Sequence, residues 1–334
     1  MSTCVDMMRA SKLDGLQMLK LLALLQDGRF HSGEALGAAL GISRAAVWKQ
    51  LQDMEASFGL SVHKVRGRGY CLPNPVILLE RQKLADNPGD WAPYVLDSVD
   101  STNAEAFRRL EAGVSPAFFV VAERQTAGRG RRGRTWVSPF AENIYYSLLL
   151  RIEGGAGQLD GMSLVVGLAV LEALRDQGIS GAGLKWPNDV LVSGRKIAGI
   201  LLEMTGDPAD VCHVVIGIGI NVNMRDVEAV DQPWTSMRNE LGVLVDRNAF
   251  VNNLNVHLFQ YLYVHKSHGF QALKAAWESA HLWQGKNVRL TAGAQHIEGQ
   301  VIGVDTRGAL RLLVEGVEHQ YSGGELSLRL RDDS

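Results

Sequence analysis

The sequence has few cysteines and no obvious membrane segment. Cys4, Cys71 and Cys212 are odd in number, far apart and without CxxC spacing. This pattern argues against a disulfide framework or a zinc site and favours a reduced, cytoplasmic protein. We find no apolar run of the roughly 18 to 20 residues that a spanning helix needs, and no charged region followed by a signal core. We therefore expect a cytoplasmic chain with no membrane partner.

The chain also lacks an excess of either charge. Its 334 residues carry a formal net charge of −2, and 46% of them are hydrophobic. The length allows two or three domains with real cores. Since the molecule is not basic as a whole, any contact with nucleic acid must be local.

The usual nucleotide-binding motifs are missing as well. There is no GxxxxGK[ST] sequence, and the stretch "GIGIN" at residues 217–221 is not GxGxxG. These absences argue against a Walker-type NTPase and give no support to a dinucleotide site.

Residues 16–73 carry helical patterns followed by a basic hairpin. Apolar residues recur at helix spacing from Met18 to Leu25, Ser43 is placed to cap a third helix, and one face of that helix is apolar (Val47, Leu51, Met54 and Phe58). The segment "LSVHKVRGRGYCLP" then predicts two short strands with a Gly-rich turn. This order is typical of a winged helix-turn-helix.

The third helix and the wing are suited to DNA. Small residues would let the start of the helix approach the bases, while cations hold phosphates. The predicted DNA-binding residues are Ser43, Arg44, Ala45, Ala46, Lys49, Arg66 and Arg68. An interaction module with an ordinary solvated charged face is the alternative.

Two further domains follow, so that the predicted fold class is multidomain α+β. Pro73 and Pro75 suggest a boundary. Residues 78–283 mix strands with helices, including a helix after "DSTN" with a capping box of Thr102 and Glu105 and an end at Gly113. Residues 285–331 show short strands between Gly-containing turns, which predicts a small SH3-like β-barrel.

The stretch "AGRGRRGRTW", residues 127–136, lies between two predicted strands. Its arginines could form a nucleic-acid patch. However, Gly128, Gly130 and Gly133 permit sharp bends and let backbone amides reach a ligand, and guanidinium groups offer planar forks for carboxylate or phosphate. We therefore expect a loop that wraps a small anionic ligand.

Several motifs together carry a family resemblance. "DSTN" (100–103), "AERQTAGRGRRGRTW" (122–136), "KWPND" (185–189), "GRKIAGILLE" (194–203) and "GIGINV" (217–222) occur in this order. Their order and spelling resemble biotin protein ligases. With the N-terminal wing, the chain resembles the family that is both biotin ligase and biotin-operon repressor, over roughly residues 16–330. The resemblance implies a central domain like class II synthetases and lipoate ligases.

The activity implied by this resemblance has two steps and a regulatory consequence. Biotin and ATP, with Mg²⁺ expected, give biotinyl-5′-AMP; the biotin is then transferred to a lysine of the biotin carboxyl carrier protein of acetyl-CoA carboxylase. The adenylate favours a homodimer that binds operator DNA and represses biotin-synthesis genes.

The resemblance also implies the site residues. Lys196 and Arg131 are the implied catalytic residues. The implied biotin-binding residues are Ser101, Thr102, Asn103, Gln125, Gly128, Arg129, Arg131, Lys196, Gly199 and Gly219. The implied nucleotide-binding residues are Arg129, Arg131, Arg134, Trp136, Asn188, Asp189, Lys196 and Asn221. No metal ligands are assigned, although Asn188 or Asp189 could contact a metal. Residues 222–234 resemble an adenylate-ordering loop with Trp234 packed inward.

Other interpretations of these residues remain open at this point. Ser101 or Thr102 could simply cap a helix, Trp136 could be core, Lys196 could be an exposed lysine after a turn, and residues 222–234 could be a plain surface loop. The chain could also be a ligand-sensing regulator without catalysis, a ligase for lipoate or octanoate, or a biotin ligase that no longer represses. Met1 and Met18 are both candidate start residues.

Overall fold

The computed structural model describes residues 17–225, 229–292, 295–323 and 326–331. Cys4, residues 1–16 and residues 226–228 of the predicted adenylate-ordering loop lie outside this range. The chain divides into two units. The first consists of Met1–Leu78 and Pro139–Ala141, and the second of Leu79–Ser138 and Glu142–Ser334.

The first unit contains three helices and a hairpin. The described elements are α1 (residues 17–25), α2 (Gly33–Leu40), α3 (Arg44–Phe58), β1 (His63–Val65) and β2 (Gly69–Cys71). The two strands pair antiparallel, and His31 forms an additional bridge to Tyr70. The predicted winged helix-turn-helix is confirmed.

Local chemistry explains the tight turn between α2 and α3. The hydroxyls of Ser32 and Ser43 accept hydrogen bonds from backbone N–H groups in the first turn of α2 and α3, at 3.0 and 3.2 Å. Gly41 ends α2 with a φ of 68°. A Cβ on Gly37 would lie 2.6 Å from the Ile42 carbonyl oxygen, so only glycine fits there.

The predicted apolar residues form the core of the first unit. Leu21, Leu22, Leu25, Val47, Leu51 and Met54 are buried. Phe58 stacks on Phe140 with ring centroids 4.2 Å apart. Phe140 belongs to the segment Pro139–Ala141, which packs in this unit although it is distant in sequence.

A seven-stranded sheet organises the second unit. Its strands are β3 (Ala92–Leu96), β4 (Phe118–Ala122), β5 (Ile144–Glu153), β6 (Ala182–Lys185), β7 (Asp189–Val192), β8 (Arg195–Gly206) and β9 (Val211–Ile220). Their order across the sheet is β3-β4-β5-β9-β8-β7-β6. β3 and β4 are parallel, and the other neighbours are antiparallel.

Helices cover both faces of this sheet. They are α4 (Arg81–Leu84), α5 (Thr102–Glu111), α6 (Met162–Asp176), α7 (Met237–Leu241), α8 (Arg247–His268) and α9 (Lys274–Ala280). α5 packs on β4, β5 and β9 through a small cluster around Ala106 and Phe118. α6 packs on β6, β7 and β8 and against α8, and its apolar residues belong to the main core.

The last part of the second unit is an antiparallel sheet. Its strands are β10 (Asn287–Ala292), β11 (Gln295–Val304), β12 (Leu310–Val314), β13 (Val317–Tyr321) and β14 (Leu326–Leu330). The order is β13-β12-β11-β10-β14. Val288, Leu290, Val301 and Leu312 are fully buried and join the main core. A small C-terminal β domain and the α+β class are confirmed.

Two expectations from the sequence need correction. Ser101, not Thr102, occupies the cap position of α5, and its side chain makes no cap hydrogen bond. The Thr102 hydroxyl donates to Gln125 instead, while Glu105 pairs with Arg108 and Arg109. The predicted capping box is therefore wrong, whereas Gly113, with a φ of 85°, follows the end of α5 as expected.

The second correction concerns the length of the apolar stretches in the chain. By length and composition, the described stretch Ala156–Asp176 could cross a membrane, but 61% of its most apolar window is buried in the fold. The stretch contains the core helix α6, which packs on the sheet.

Candidate active site and DNA-binding surface

A cavity of about 470 Å³ lies in the second unit, against the β8–β9 part of the sheet. Its wall is built by the start of α5, the arginine-glycine loop, the β6–β7 turn, β8, β9 and β14. The predicted site residues that line it are Ser101, Thr102, Asn103, Gln125, Arg129, Arg131, Arg134, Trp136, Asn188, Asp189, Lys196, Gly199 and Gly219. The structure thus brings together residues that span more than a hundred positions in the chain.

One cluster of residues at the cavity consists of neutral polar groups. Gln125 Oε1 accepts hydrogen bonds from the backbone N–H and the hydroxyl of Thr102, at 2.9 and 3.1 Å. Ser147 Oγ lies 2.7 Å from Thr102 Oγ1 and 2.5 Å from Asn103 Oδ1. Thr102 and Asn103 are buried, as is Ser101. This cluster can offer both donors and acceptors to a cyclic urea or amide.

A second cluster at the cavity is compact and charged. Lys196 Nζ lies 2.7 Å from Asp189 Oδ1, and Lys185 Nζ lies 3.5 Å from Asp189 Oδ2. Burial alone would raise the pKa of Asp189, but the two lysines more than offset this effect and the pKa is lowered. Burial lowers the pKa of Lys185, and Asp189 offsets only part of that shift. Two ammonium groups facing one carboxylate leave positive charge available for an anionic ligand.

Arg131 anchors the arginine-glycine loop. Its guanidinium donates to Asn188 Oδ1 at 3.0 Å and to the backbone carbonyls of Gly323 and Leu326 in the C-terminal β domain. Burial lowers the pKa of Arg131, although the nearby Asp189 opposes this shift. Asn188 is held in turn by β8, because its Nδ2 donates to the Ile200 carbonyl at 2.8 Å. The loop is therefore fastened to two walls of the cavity.

Glycines form the floor of the cavity under Trp136. Gly199 pairs with Gly219 across β8 and β9. A Cβ on Gly219 would lie 2.4 Å from Trp136 Cε2, and a Cβ on Gly199 would lie 3.0 Å from Lys196 Nζ. The ammonium of Lys196 is 5.3 Å from the centre of the indole ring. The two glycines allow an aromatic ring and a lysine to share one small space.

A second cavity of about 430 Å³ adjoins the same residues. Arg134, Trp136 and Lys196 line both cavities. The second cavity also contacts Trp234 and Asn221, a nucleotide residue predicted from the sequence. The backbone of Lys196 binds the end of the 222–234 segment, accepting from Thr235 N and donating to the Pro233 carbonyl, both at 2.9 Å.

Gly128 lines neither cavity. A Cβ there would lie 2.5 Å from the Trp136 carbonyl oxygen and 2.7 Å from Ser138 Oγ. Its lack of a side chain lets the two arms of the loop approach each other, where Trp136 N donates to the Gly128 carbonyl at 2.9 Å.

Sequence reasoning missed several polar residues at the first cavity, among them Lys185 and Arg329, which line it, and Ser147 and Glu203, which bind residues that line it. Ser147, Lys185 and Arg329 stand on strands, and Glu203 accepts hydrogen bonds from Asn103 and Arg129. Lys185 and Glu203 belong to the motifs KWPND and GRKIAGILLE, so the sequence did contain a signal for these two residues. Nothing local marks Ser147 or Arg329.

Within the described ranges, no group of three or more His, Cys, Asp or Glu side chains is arranged to hold a metal ion. Asp189 and Asp231 contribute carboxylates to the wall of the first cavity. Cys71 and Cys212 are buried free thiols.

The predicted DNA-binding residues lie together in the first unit. Arg44, Ala45, Lys49, Arg66 and Arg68 are exposed, Ala46 is half-buried, and Ser43 caps α3. Arg68 stacks on Phe30, with its guanidinium carbon 4.2 Å from the ring centre. Trp48, which the sequence reasoning did not select, is 46% exposed on the same helix. α3 and the wing thus combine cations with an aromatic ring.

Comparisons with known proteins identify each part of this architecture. Residues 17–71 match a helix-turn-helix domain, residues 95–221 match the biotin/lipoate A/B protein ligase family, and residues 284–329 match the biotin protein ligase C-terminal domain. The fold and the site therefore define a ligase that carries a DNA-binding module.

Individual relatives match either nearly the whole chain or about two thirds of it. The bifunctional ligase/repressor BirA of Escherichia coli (strain K12) is 41% identical over 313 residues, which cover 93% of this chain and 97% of that protein. The biotin--[acetyl-CoA-carboxylase] ligase of Paracoccus denitrificans is 39% identical, over 65% of this chain and 92% of that protein. The biotin protein ligase from Aquifex aeolicus in complex with biotin and ATP superposes with a TM-score of 0.63 and 34% identity, over 72% of this chain and 99% of that one. The chain belongs to the biotin protein ligase family, in the form that carries an N-terminal helix-turn-helix.

Proposed function

We propose that this chain is an ATP-dependent biotin ligase and a biotin-responsive repressor. In the first step a carboxylate oxygen of biotin attacks the α-phosphorus of ATP, the bond to the bridging oxygen breaks, and pyrophosphate leaves. In the second step a lysine amine of the biotin carboxyl carrier protein attacks the acyl carbon of biotinyl-5′-AMP. AMP leaves and the amine loses a proton.

The observation that carries this proposal is the position of Lys196 and Trp136 on the walls of both cavities. The first cavity offers Thr102, Asn103 and Gln125 to the ureido ring of biotin. The second offers Trp136, Trp234 and Asn221 to adenosine. The join between the two ligands would then fall beside the Lys196 ammonium, where the biotin carboxylate and the α-phosphate must meet.

The first step is opposed mainly by the repulsion between two anions, and the positively charged groups of the site offset this repulsion. Lys196, Lys185 and Arg131 are held in place before any ligand arrives, by Asp189, Asn188 and backbone carbonyls. Groups fixed in advance need no reorganisation during the reaction, and each can contribute roughly 3 to 4 kcal/mol to transition-state stabilisation. No covalent enzyme intermediate is needed.

Mg²⁺ would bind to the site together with ATP. Such an ion is usually held by one or two carboxylates together with substrate phosphates, and Asp189 on the cavity wall fits that pattern. The ion would offset phosphate charge. The arginine-glycine loop would keep water from the mixed anhydride.

The regulatory part of the proposal uses the first unit. Two copies joined as a homodimer would present two recognition helices to two half-sites of an operator. The adenylate can favour that dimer only by binding it more tightly than the monomer. Residues 222–234 are the proposed ordering segment, since their end is bound to Lys196 and Trp234 lines the adenosine cavity. We propose a cytoplasmic location and domain bounds of 16–73, 78–283 and 285–331.

Mass spectrometry for bound biotinyl-5′-AMP tests the enzymatic proposal. The wild type, Lys196→Ala and the control Lys83→Ala are incubated with biotin and Mg-ATP. Lys83 is an exposed residue of α4 that pairs with Glu80. We expect Lys196→Ala to form adenylate about 10²- to 10³-fold more slowly while its melting temperature is retained. Equal rates in all three proteins would contradict the role of Lys196, and no adduct in the wild type would contradict the ligase.

A carrier-domain assay tests the second step. Biotinylation of one lysine on a biotin carboxyl carrier domain is expected with the wild type. An adduct that forms but never transfers would favour a ligand-sensing regulator without ligase activity.

A further inference from the structure

Glu203 joins two parts of the cavity wall that are distant in sequence. Its Oε2 accepts a hydrogen bond from Asn103 Nδ2 at 2.7 Å and one from Arg129 Nη2 at 3.2 Å. Asn103 belongs to the first turn of α5, and Arg129 to the arginine-glycine loop. Glu203 itself stands on β8, on the same face as Gly199 and Leu201, because strand residues two apart share a face.

The surroundings of Asn103 leave its amide one orientation. Nδ2 faces Glu203 and, at 3.4 Å, the Leu201 carbonyl, and both of these groups can only accept. Oδ1 therefore faces the other way, where Ser147 Oγ lies 2.5 Å away. A Cβ on Gly217 would lie 2.4 Å from Oδ1, so the backbone touches the amide closely.

This orientation decides what Asn103 offers to a ligand. A carbonyl oxygen has two acceptor positions, and Ser147 takes one of them. Asn103 lines the cavity, where the N–H group of a ligand could use the second position. If the amide turned over, the same position would present a donor, which repels the N–H of a ureido ring.

We propose that Glu203 is a positioning residue for recognition of the biotin ring. It fixes the Asn103 carbonyl as an acceptor for one ureido N–H and ties Arg129 to the sheet beside it. The inference rests on the proposed ligase function. Of the two contacts, the bond to Asn103 matters more, because Asn103 is 5% exposed whereas the Arg129 side chain is 50% exposed. Exposed ion pairs contribute little.

The test compares Glu203→Leu, Glu203→Gln and the control Glu153→Leu. Leucine removes the acceptor, whereas the glutamine oxygen can still accept from Asn103 and loses only the charge that holds Arg129. Glu153 ends β5, is 73% exposed and pairs with Arg151, so it reports the general effect of losing a surface carboxylate. The readouts are calorimetric binding of biotin alone, and kcat and KM for biotin and for ATP.

We expect Glu203→Leu to weaken biotin binding and raise the KM for biotin about ten- to thirtyfold, with kcat and the KM for ATP within about twofold of wild type. Glu203→Gln should recover most of the loss. Biotin analogues methylated on one or the other ureido nitrogen test the hydrogen bond between the ring and Asn103 directly. Wild type should discriminate strongly against one of them, and Glu203→Leu should discriminate less.

Three results would overturn the inference. The first is an unchanged biotin affinity in Glu203→Leu while the wild type binds biotin. The second is an equal rise in both KM values together with a lower melting temperature, which indicates a purely structural role. The third is unchanged discrimination between the methylated analogues. A wild type that binds no biotin would instead contradict the proposed function, and this inference with it.

Discussion

At the scale of single residues, Gly219 shows how the backbone makes room for the site. A methyl group at this position would meet the Trp136 indole at 2.4 Å. We expect Gly219→Ala to displace the indole and raise the KM for ATP about tenfold, since overpacking costs roughly 1 to 3 kcal/mol. Gly157→Ala is the matched control, because a Cβ there has nothing within 4 Å. Equal KM values for the two variants would show that Trp136 does not depend on this glycine.

Another residue-scale prediction concerns His281, which follows α9. Burial lowers its pKa to about 4, and its ring stacks on Trp277 at 4.6 Å. The folded state thus favours neutral His281, whereas the unfolded chain takes up a proton below about pH 6.5. The free energy of unfolding should fall by up to about 3 kcal/mol as pH drops from 6.5 to 4.

Urea unfolding between pH 4 and 7, compared with His281→Phe, measures this contribution. The phenyl ring keeps an aromatic partner for Trp277 but cannot titrate, so the difference between the two proteins isolates His281. As pH falls from 6.5 to 4, wild type should lose up to about 3 kcal/mol of stability relative to His281→Phe. Parallel curves for wild type and variant would show that the histidine does not titrate as described.

Residues in short motifs could be predicted from the sequence, and residues placed by strand register could not. Ser101, Asn103 and Gln125 were found because they stand in recognisable motifs. Ser147 reaches the site only because it pairs with Gly217 across β5 and β9. Glu203 was within a recognised motif, but its partners depend on the path of the arginine-glycine loop.

At the scale of elements, a buried ion pair ties β4 to α8. Glu123, just after β4, and Arg247, at the start of α8, form a salt bridge with side chains 3% and 0% exposed. Glu123 Oε1 also accepts from Leu79 N at 2.6 Å, and Arg247 donates to the Asn143 carbonyl at 3.0 Å. We expect Arg247→Met to destabilise the second unit by about 3 to 5 kcal/mol, because it strands a buried carboxylate.

The second substitution of the pair tests the electrostatic cause. Glu123→Gln removes the charge and keeps an oxygen for Leu79 N. The double variant Glu123→Gln/Arg247→Met should therefore be more stable than Arg247→Met alone in urea unfolding followed by tryptophan fluorescence. Additive losses would mean that Arg247 acts through packing and not through charge.

Whether a segment forms a helix or a strand was also easier to predict than which distant segments contact each other. The two strands predicted on either side of the arginine-glycine loop are present as β4 and β5, and the helix predicted after "DSTN" is present as α5. The predicted capping box failed because Gln125, beyond β4, provides the hydrogen bonds that Thr102 makes. Such tertiary hydrogen bonds leave no local trace in a sequence. The contact of Arg131 with the C-terminal β domain, 192 and 195 residues further along the chain, is another case.

At the scale of the whole molecule, DNA binding depends on positive charge that is concentrated in one place. The formal net charge is −2, so attraction to a polyanion depends on the exposed cations of α3 and the wing. These cations stand in the first unit, apart in sequence from the loop arginines that line the cavity. We therefore propose that the arginine-rich loop binds a small ligand and that the wing binds DNA.

Salt dependence distinguishes these assignments. Arg66 is exposed in the wing turn, and each phosphate contact contributes about one to the slope of log affinity against log salt. On a random-sequence DNA duplex, Arg66→Ala should weaken binding and reduce the slope by about one. Arg81→Ala, an exposed arginine of α4, should leave both unchanged, and Arg132→Ala in the loop should do the same. If Arg132→Ala lowered the slope as much as Arg66→Ala, the loop would be touching DNA, and its assignment to a small ligand would fail.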